Sequence, residues 1–186
     1  MRTLRRVRLG QVAREQGTLA IARLRLDEAR ACYQRSRELL AELPSERMHV
    51  AQAWIKEAQV ELVAGRLDQA LRCLAAAAPR VEAAEPGELS ARVAAHYWKT
   101  TAWLALASGD ASRLGQATQA HASVIAAYGW DNEHAHQRWL RRASRVEPIA
   151  PRVIVHQLVR AGIVAASGGG AQVSRWLREL RERGGR

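Results

Sequence analysis

Apolar side chains recur along this chain at intervals of three and four residues, and no run alternates apolar and polar positions for the length of a strand. That period puts the apolar positions on one side of a helix. It predicts helices over 4–21, 25–42, 46–64, 67–84, 88–107, 111–128, 131–146, 151–166 and 171–183. Breakers and caps fill the gaps. Pro44-Ser45-Glu46 ends one helix and opens the next, Gly65 divides a pair, and Glu85-Pro86-Gly87 closes that unit. Ser108-Gly109-Asp110 forms a further turn, where the Asp110 carboxylate can accept from first-turn amides as an N-cap. Pro148 and Pro151 bracket another turn, and Ser167-Gly168-Gly169-Gly170 makes the last. Pro79 falls inside the fourth helix, where it removes a donor and crowds the preceding turn, so a kink or break is expected there. Long helices joined by short turns must run antiparallel.

The pattern also repeats at longer range. Leu26-Asp27-Glu28-Ala29-Arg30-Ala31-Cys32 returns 41 residues later as Leu67-Asp68-Gln69-Ala70-Leu71-Arg72-Cys73, with a weaker echo at Gly109-Asp110-Ala111. Self-similarity at such a period is the mark of stacked repeats, none of which buries its apolar face alone. In one unit Trp54, Ala58, Gly65, Ala70, Leu74 and Ala77 stand at the spacing of a tetratricopeptide-type helix pair. Trp98, Ala102 and Gly109 match in the next, where Leu114 and His121 replace small residues. Gly17, Ala29 and Tyr33 match in the first, where Ala13 replaces the Trp and Leu24 the turn Gly.

On these residues the chain resembles a tetratricopeptide-type repeat, in a long-helix form similar to the repeats of MalT-type and LuxR-type bacterial regulators. The resemblance implies an all-α fold: antiparallel helix pairs stacked as a right-handed superhelix, with extra C-terminal helices. It covers residues 9–129, so the expected organisation is a three-pair repeat region over 1–129 and a basic helical segment over 130–186. It also implies a concave face, made by the first helix of each pair, that holds a protein or peptide partner. Gln52, Lys56, Lys99 and Trp103 are the candidate groove positions. Trp54 and Trp98, at equivalent places, are expected to pack between helices. The Gly-rich phosphate loop of the larger regulators is missing.

Charge changes the picture at the two ends. The formal net charge is +11, with 11 basic and 6 acidic side chains in residues 1–50, 7 and 2 in residues 151–186, and a near balance between. Such an excess favours acidic partners. Arg138, Arg142 and Arg145 fall at i, i+4 and i+7 with Arg141 beside them, opposite Trp139, Leu140, Ala143 and Val146. Val173, Trp176, Leu177 and Leu180 form an apolar stripe flanked by Arg175 and Arg178. Gln172-Val173-Ser174-Arg175-Trp176-Leu177-Arg178-Glu179-Leu180 resembles the recognition helix of helix-turn-helix regulators, over about ten residues. The segment before it departs from that pattern, with a long helix and three glycines in place of a short helix and a compact turn. These arginines are therefore candidates for a nucleic-acid surface, against the plainer alternatives of a solvated face and a terminal helix that caps the stack.

Chemistry of other kinds finds little purchase. His134 and His136 stand two apart and point away from each other on a helix, and His96, His121 and His156 add no ligand spacing. No nucleophile stands in a triad or elbow context, so the sequence predicts no enzyme, no metal and no cofactor. Cys32 and Cys73 occupy equivalent places in repeats stacked about 10 Å apart, beyond the about 7 Å a disulfide allows. They read as small packing residues in a reducing cytoplasm. No apolar run is long enough to cross a bilayer, and the basic start lacks the apolar stretch of a secretory signal.

Overall fold

The computed structural model describes residues 2–23 and 25–128. Among these residues every regular element is helical: α1 (Arg2–Ala22), α2 (Leu26–Leu40), α3 (Arg47–Val63), α4 (Leu67–Glu82), α5 (Glu88–Ser108) and α6 (Ala111–Ala127), with one 3₁₀ turn at Pro44–Glu46. The all-α class is therefore established for this part, and six helices lie within a few residues of their expected bounds. The helices expected at 131–146, 151–166 and 171–183 lie outside the described residues. The chain divides into two compact units, Met1–Thr100 and Thr101–Arg186, the division falling inside α5. The boundary expected at 129–130 falls at the edge of the described residues.

The turns within helix pairs share one backbone device. Arg25 N donates to Ala20 O at 2.9 Å, Arg66 N to Glu61 O at 2.8 Å, and Asp110 N to Ala105 O at 2.9 Å. Each bond closes the last helical turn over five residues, as a Schellman ending does. Gly65 and Gly109 supply the left-handed residue, with φ of 75° and 73°. The next helix then begins. At α6 the expected cap is present: Asp110 Oδ1 accepts from Arg113 N at 2.9 Å.

Within the first unit, α1 and α2 pack antiparallel at very close range. A Cβ on Gly10 would lie 2.6 Å from Leu40 Cγ, and one on Gly17 would lie 2.8 Å from Tyr33 Cε1. Gly10 and Gly17 are seven residues apart, as are Tyr33 and Leu40, so two large side chains seat over two gaps in the facing helix. The approach leaves the Gly10 carbonyl open to Ser36, whose buried Oγ donates to it at 2.8 Å. Farther along, Ala20, Ala29, Tyr33 and Val60 form one apolar cluster joining α1, α2 and α3. A second cluster joins Met48, Ala51 and Ile55 of α3 to Ala77 of α4 and Val93 of α5, with Trp54, Val81 and Tyr97 packed on it. Positions 41 apart on α2 and α4 share their burial: Ala29 with Ala70, Tyr33 with Leu74, Ser36 with Ala77.

Of the kink or break expected at Pro79, the break does not occur: α4 runs through it to Glu82. Pro79 stands three residues from the helix end and lacks an amide, so one backbone hydrogen bond of the last turn is not made. Arg80 Nη1 donates to the Ala76 carbonyl at 3.0 Å beside it.

Candidate functional site

The sequence-derived groove positions divide between the two units. Gln52 and Lys56 stand one turn apart on α3, and Lys99 stands on α5; all three are half-buried. Trp103 belongs to the second unit and is only 3% exposed. Its burial removes it as an exposed, ligand-facing aromatic: it packs in an interior.

Lys56 lies at a polar seam between α3 and α5. Its Nζ donates to Gln59 Oε1 at 3.4 Å, and Gln59 Nε2 donates to Thr100 Oγ1 at 2.9 Å. Thr100 Oγ1 in turn donates to the His96 carbonyl at 2.7 Å. Gln59 and Thr100 are both buried, so each needs the other: an unsatisfied amide or hydroxyl in the interior costs about 1–3 kcal/mol. The chain of bonds ties the C-terminal half of α3 to α5 next to Lys99. Tyr97 and Trp98 meet edge to face there, with ring centroids 4.9 Å apart. Trp54 packs against the α3–α4–α5 cluster, and the Arg37 guanidinium lies 3.5 Å from its ring centroid.

A second polar feature, between α2 and α3, escaped the sequence reading. Glu57 and Glu61, one turn apart on α3, are both buried. Arg37 Nη1 donates to Glu57 Oε2. Glu61 receives Arg30 Nε at 2.7 Å on one oxygen and Arg66 Nε at 2.5 Å on the other. The bond to Glu61 raises the Arg30 pKa above the ordinary arginine range. Burial lowers that of Arg37, which stays charged because guanidinium does not lose its proton in proteins. Glu57 is thus held by one guanidinium and Glu61 by two, one on each oxygen. The shallow depression lined by Arg30, Glu61, Arg66, Asp68, Gln69 and Arg72 exposes the rim of this network. Its signal in the sequence was slight: two acids four apart in a helix that carries other polar residues as well.

The cysteines are free thiols, Cys73 buried and Cys32 half-buried. Burial pushes both pKa values up, with Glu28 adding to the effect at Cys32. A raised pKa keeps the thiol protonated and a poor nucleophile. Among the described residues no group of three or more His, Cys, Asp and Glu side chains could hold a metal ion. Nor is any of their helices long and apolar enough to cross a membrane. Arg138, Arg141, Arg142, Arg145, Arg175 and Arg178, His134, His136 and His156, and the three glycines at 168–170 all lie outside the described residues.

The chain matches no protein-family model, and neither a curated protein nor a solved structure shows significant similarity to it.

Proposed function

We propose that this protein is a non-enzymatic interaction module, a tetratricopeptide-like stack of helix pairs that holds a segment of a protein partner. The binding positions are Gln52 and Lys56 on α3 and Lys99 on α5. What carries the reading is the recurrence of one turn geometry, between α1 and α2, α3 and α4, and α5 and α6, at spacings of 41 and 44 residues. A stack of this kind aligns the first helices of successive pairs into an extended surface. The Lys56–Gln59–Thr100 bonds hold the α3–α5 part of that surface rigid, and rigidity lowers the entropic cost of binding an extended segment. Two lysines on it suit a segment that carries carboxylates.

A second reading, nucleic-acid binding by the C-terminal segment, draws on the 7 basic and 2 acidic side chains of residues 151–186. One experiment separates the two. Tagged full-length protein is used for affinity capture from nuclease-treated extract, and the same preparation is used for gel shifts across a salt series. The interaction reading expects a captured protein that is lost on Lys56→Glu/Lys99→Glu substitution and kept when 171–186 are deleted. A gel shift that weakens steeply with salt and disappears on reversing Arg138, Arg142, Arg175 and Arg178 would overturn it in favour of the second.

A further inference from the structure

The outer side of α1 is independent of that groove and carries a pattern of its own. Leu4, Val12 and Leu19 are 59%, 53% and 58% exposed, and Arg8 and Glu15 between them are exposed as well. At 3.6 residues per turn these five positions fall within an arc of about 80°, roughly opposite the Gly10, Ala13, Gly17 and Ala20 face that packs inward. Leu9, 46% exposed, lies about 60° outside the arc, on the flank of the inward face. The solvent-exposed side of a helix is ordinarily polar. Here the outer stripe reads Leu, Arg, Val, Glu, Leu.

That stripe is complementary to its own reverse. In an antiparallel pair of α1 helices with facing positions summing to 23, Leu4 meets Leu19, Arg8 meets Glu15, and the two Val12 residues flank the twofold axis, which passes between positions 11 and 12. Apolar positions face apolar ones and each charge faces its opposite, twice over by symmetry. Arg8 has no carboxylate partner within the chain among the described residues. Glu15 is two-thirds exposed and holds one bond, from Arg14 Nη2 to its Oε1 at 3.2 Å, which leaves Oε2 open. We propose that α1 is a self-association helix, and that the partner covering this stripe is a second copy of the chain, docked antiparallel through α1.

The test is a charge-swap series on the full chain, followed by sedimentation velocity over a concentration range reaching about 100 µM. The stripe is about 22 Å long, which suits a micromolar dimer rather than a tight one. Arg8→Glu and Glu15→Arg each place like charges across both symmetric pairs and are expected to weaken the dimer about 10-fold or more. The double variant, Arg8→Glu with Glu15→Arg, restores the pairing and is expected to return to within about 3-fold of the parent. Val12→Arg sets two arginines close together beside the axis and is expected to leave monomers. All these positions are exposed, and circular dichroism verifies that each variant keeps its helices. A parent that stays monomeric at about 100 µM, or a double variant as weak as the single ones, would overturn the proposal. Binding to phosphatidylserine vesicles provides a further arm: a lipid-facing stripe would bind more tightly on Glu15→Arg, whereas the dimer weakens. Tighter vesicle binding without self-association would assign the stripe to a lipid surface and refute the pairing.

Discussion

Replacing Gly10 with alanine tests the closest contact in the fold. In an unhindered helix the change stabilises by about 0.8–1 kcal/mol, because glycine carries the larger entropic cost. At position 10 the new methyl would lie 2.6, 2.7 and 3.0 Å from Leu40 Cγ, Cδ2 and Cδ1. Leu40 is fully buried, so it has no solvent to move into. Either its rotamer changes or α1 withdraws, and overpacking of this kind costs about 1–3 kcal/mol. Withdrawal also stretches the Ser36–Gly10 bond, worth about 1 kcal/mol. The balance is a destabilisation of about 1–3 kcal/mol. Gly115, within α6, is the control: nothing lies within 4 Å of a Cβ placed there, so Gly115→Ala should gain about 0.5–1 kcal/mol. Urea unfolding followed by far-ultraviolet circular dichroism measures both. The Gly10→Ala/Leu40→Ala pair should lose less than the sum of its single losses, because removing Leu40 makes room for the methyl. If Gly10→Ala stabilised the protein as Gly115→Ala does, the close approach of α1 and α2 would be wrong.

Three other perturbations probe distinct interactions. Asp110→Ala removes the acceptor for Arg113 N and should cost about 1 kcal/mol, which Asp110→Asn or Asp110→Ser largely recovers in the same urea assay. Glu57→Gln strips the charge that holds Arg37, whose side chain is only 13% exposed, and should cost about 3 kcal/mol; Glu61→Gln should cost less, because Arg66 is half exposed and can turn to water. Burial raises the Tyr33 pKa well above the ordinary tyrosine value. A raised folded-state pKa favours folding fully below about pH 10, where the unfolded phenol titrates, and that contribution is lost as pH climbs towards the folded value. The protein should therefore become less stable above about pH 10, with Tyr33→Phe flattening that fall, and ultraviolet titration should show one tyrosine that ionises only on unfolding.

Most helix limits were legible because their signals are local. Gly65 and Gly109 supply a backbone conformation that other residues resist, and Asp110 supplies a cap, so the chain declares those turns whatever surrounds them. Pro79 was less decisive: its local effect does not say whether the helix stops or continues, and α4 continues through it to Glu82. The buried acids were hidden by a different cause. Periodicity assigns charge to the outside, but α3 is enclosed on most sides, from Met48 and Val50 through Ile55 to Val60, and Glu57 and Glu61 go inward with the rest. What makes that possible is three arginines from elsewhere, Arg30 and Arg37 on α2 and Arg66 at the turn into α4. Pairing across helices leaves no trace in the sequence of one helix. Trp103 illustrates the limit for the groove: its place in the chain marks it as unusual, but only packing decides whether an aromatic faces a partner or a core.

The α2–α3 seam also explains why the outer stripe of α1 matters. Inside the chain, Arg37 meets Glu57 and Arg30 meets Glu61, an antiparallel match in which charge fixes the register. Sliding α2 along α3 by a few residues would leave a buried carboxylate without its guanidinium, at a cost of several kcal/mol, so apolar contacts settle that the helices meet and the ion pairs settle where. On α1 the same elements recur in the open: leucines at the ends of a stripe, an arginine and a glutamate at mirrored positions, and a valine between. The inward face of α1 is already spent on Tyr33, Ser36 and Leu40, so this second face cannot be satisfied by α2. A helix apolar on two opposite sides behaves as an inner layer, and the charge order along its free side specifies a partner running the other way with the same sequence.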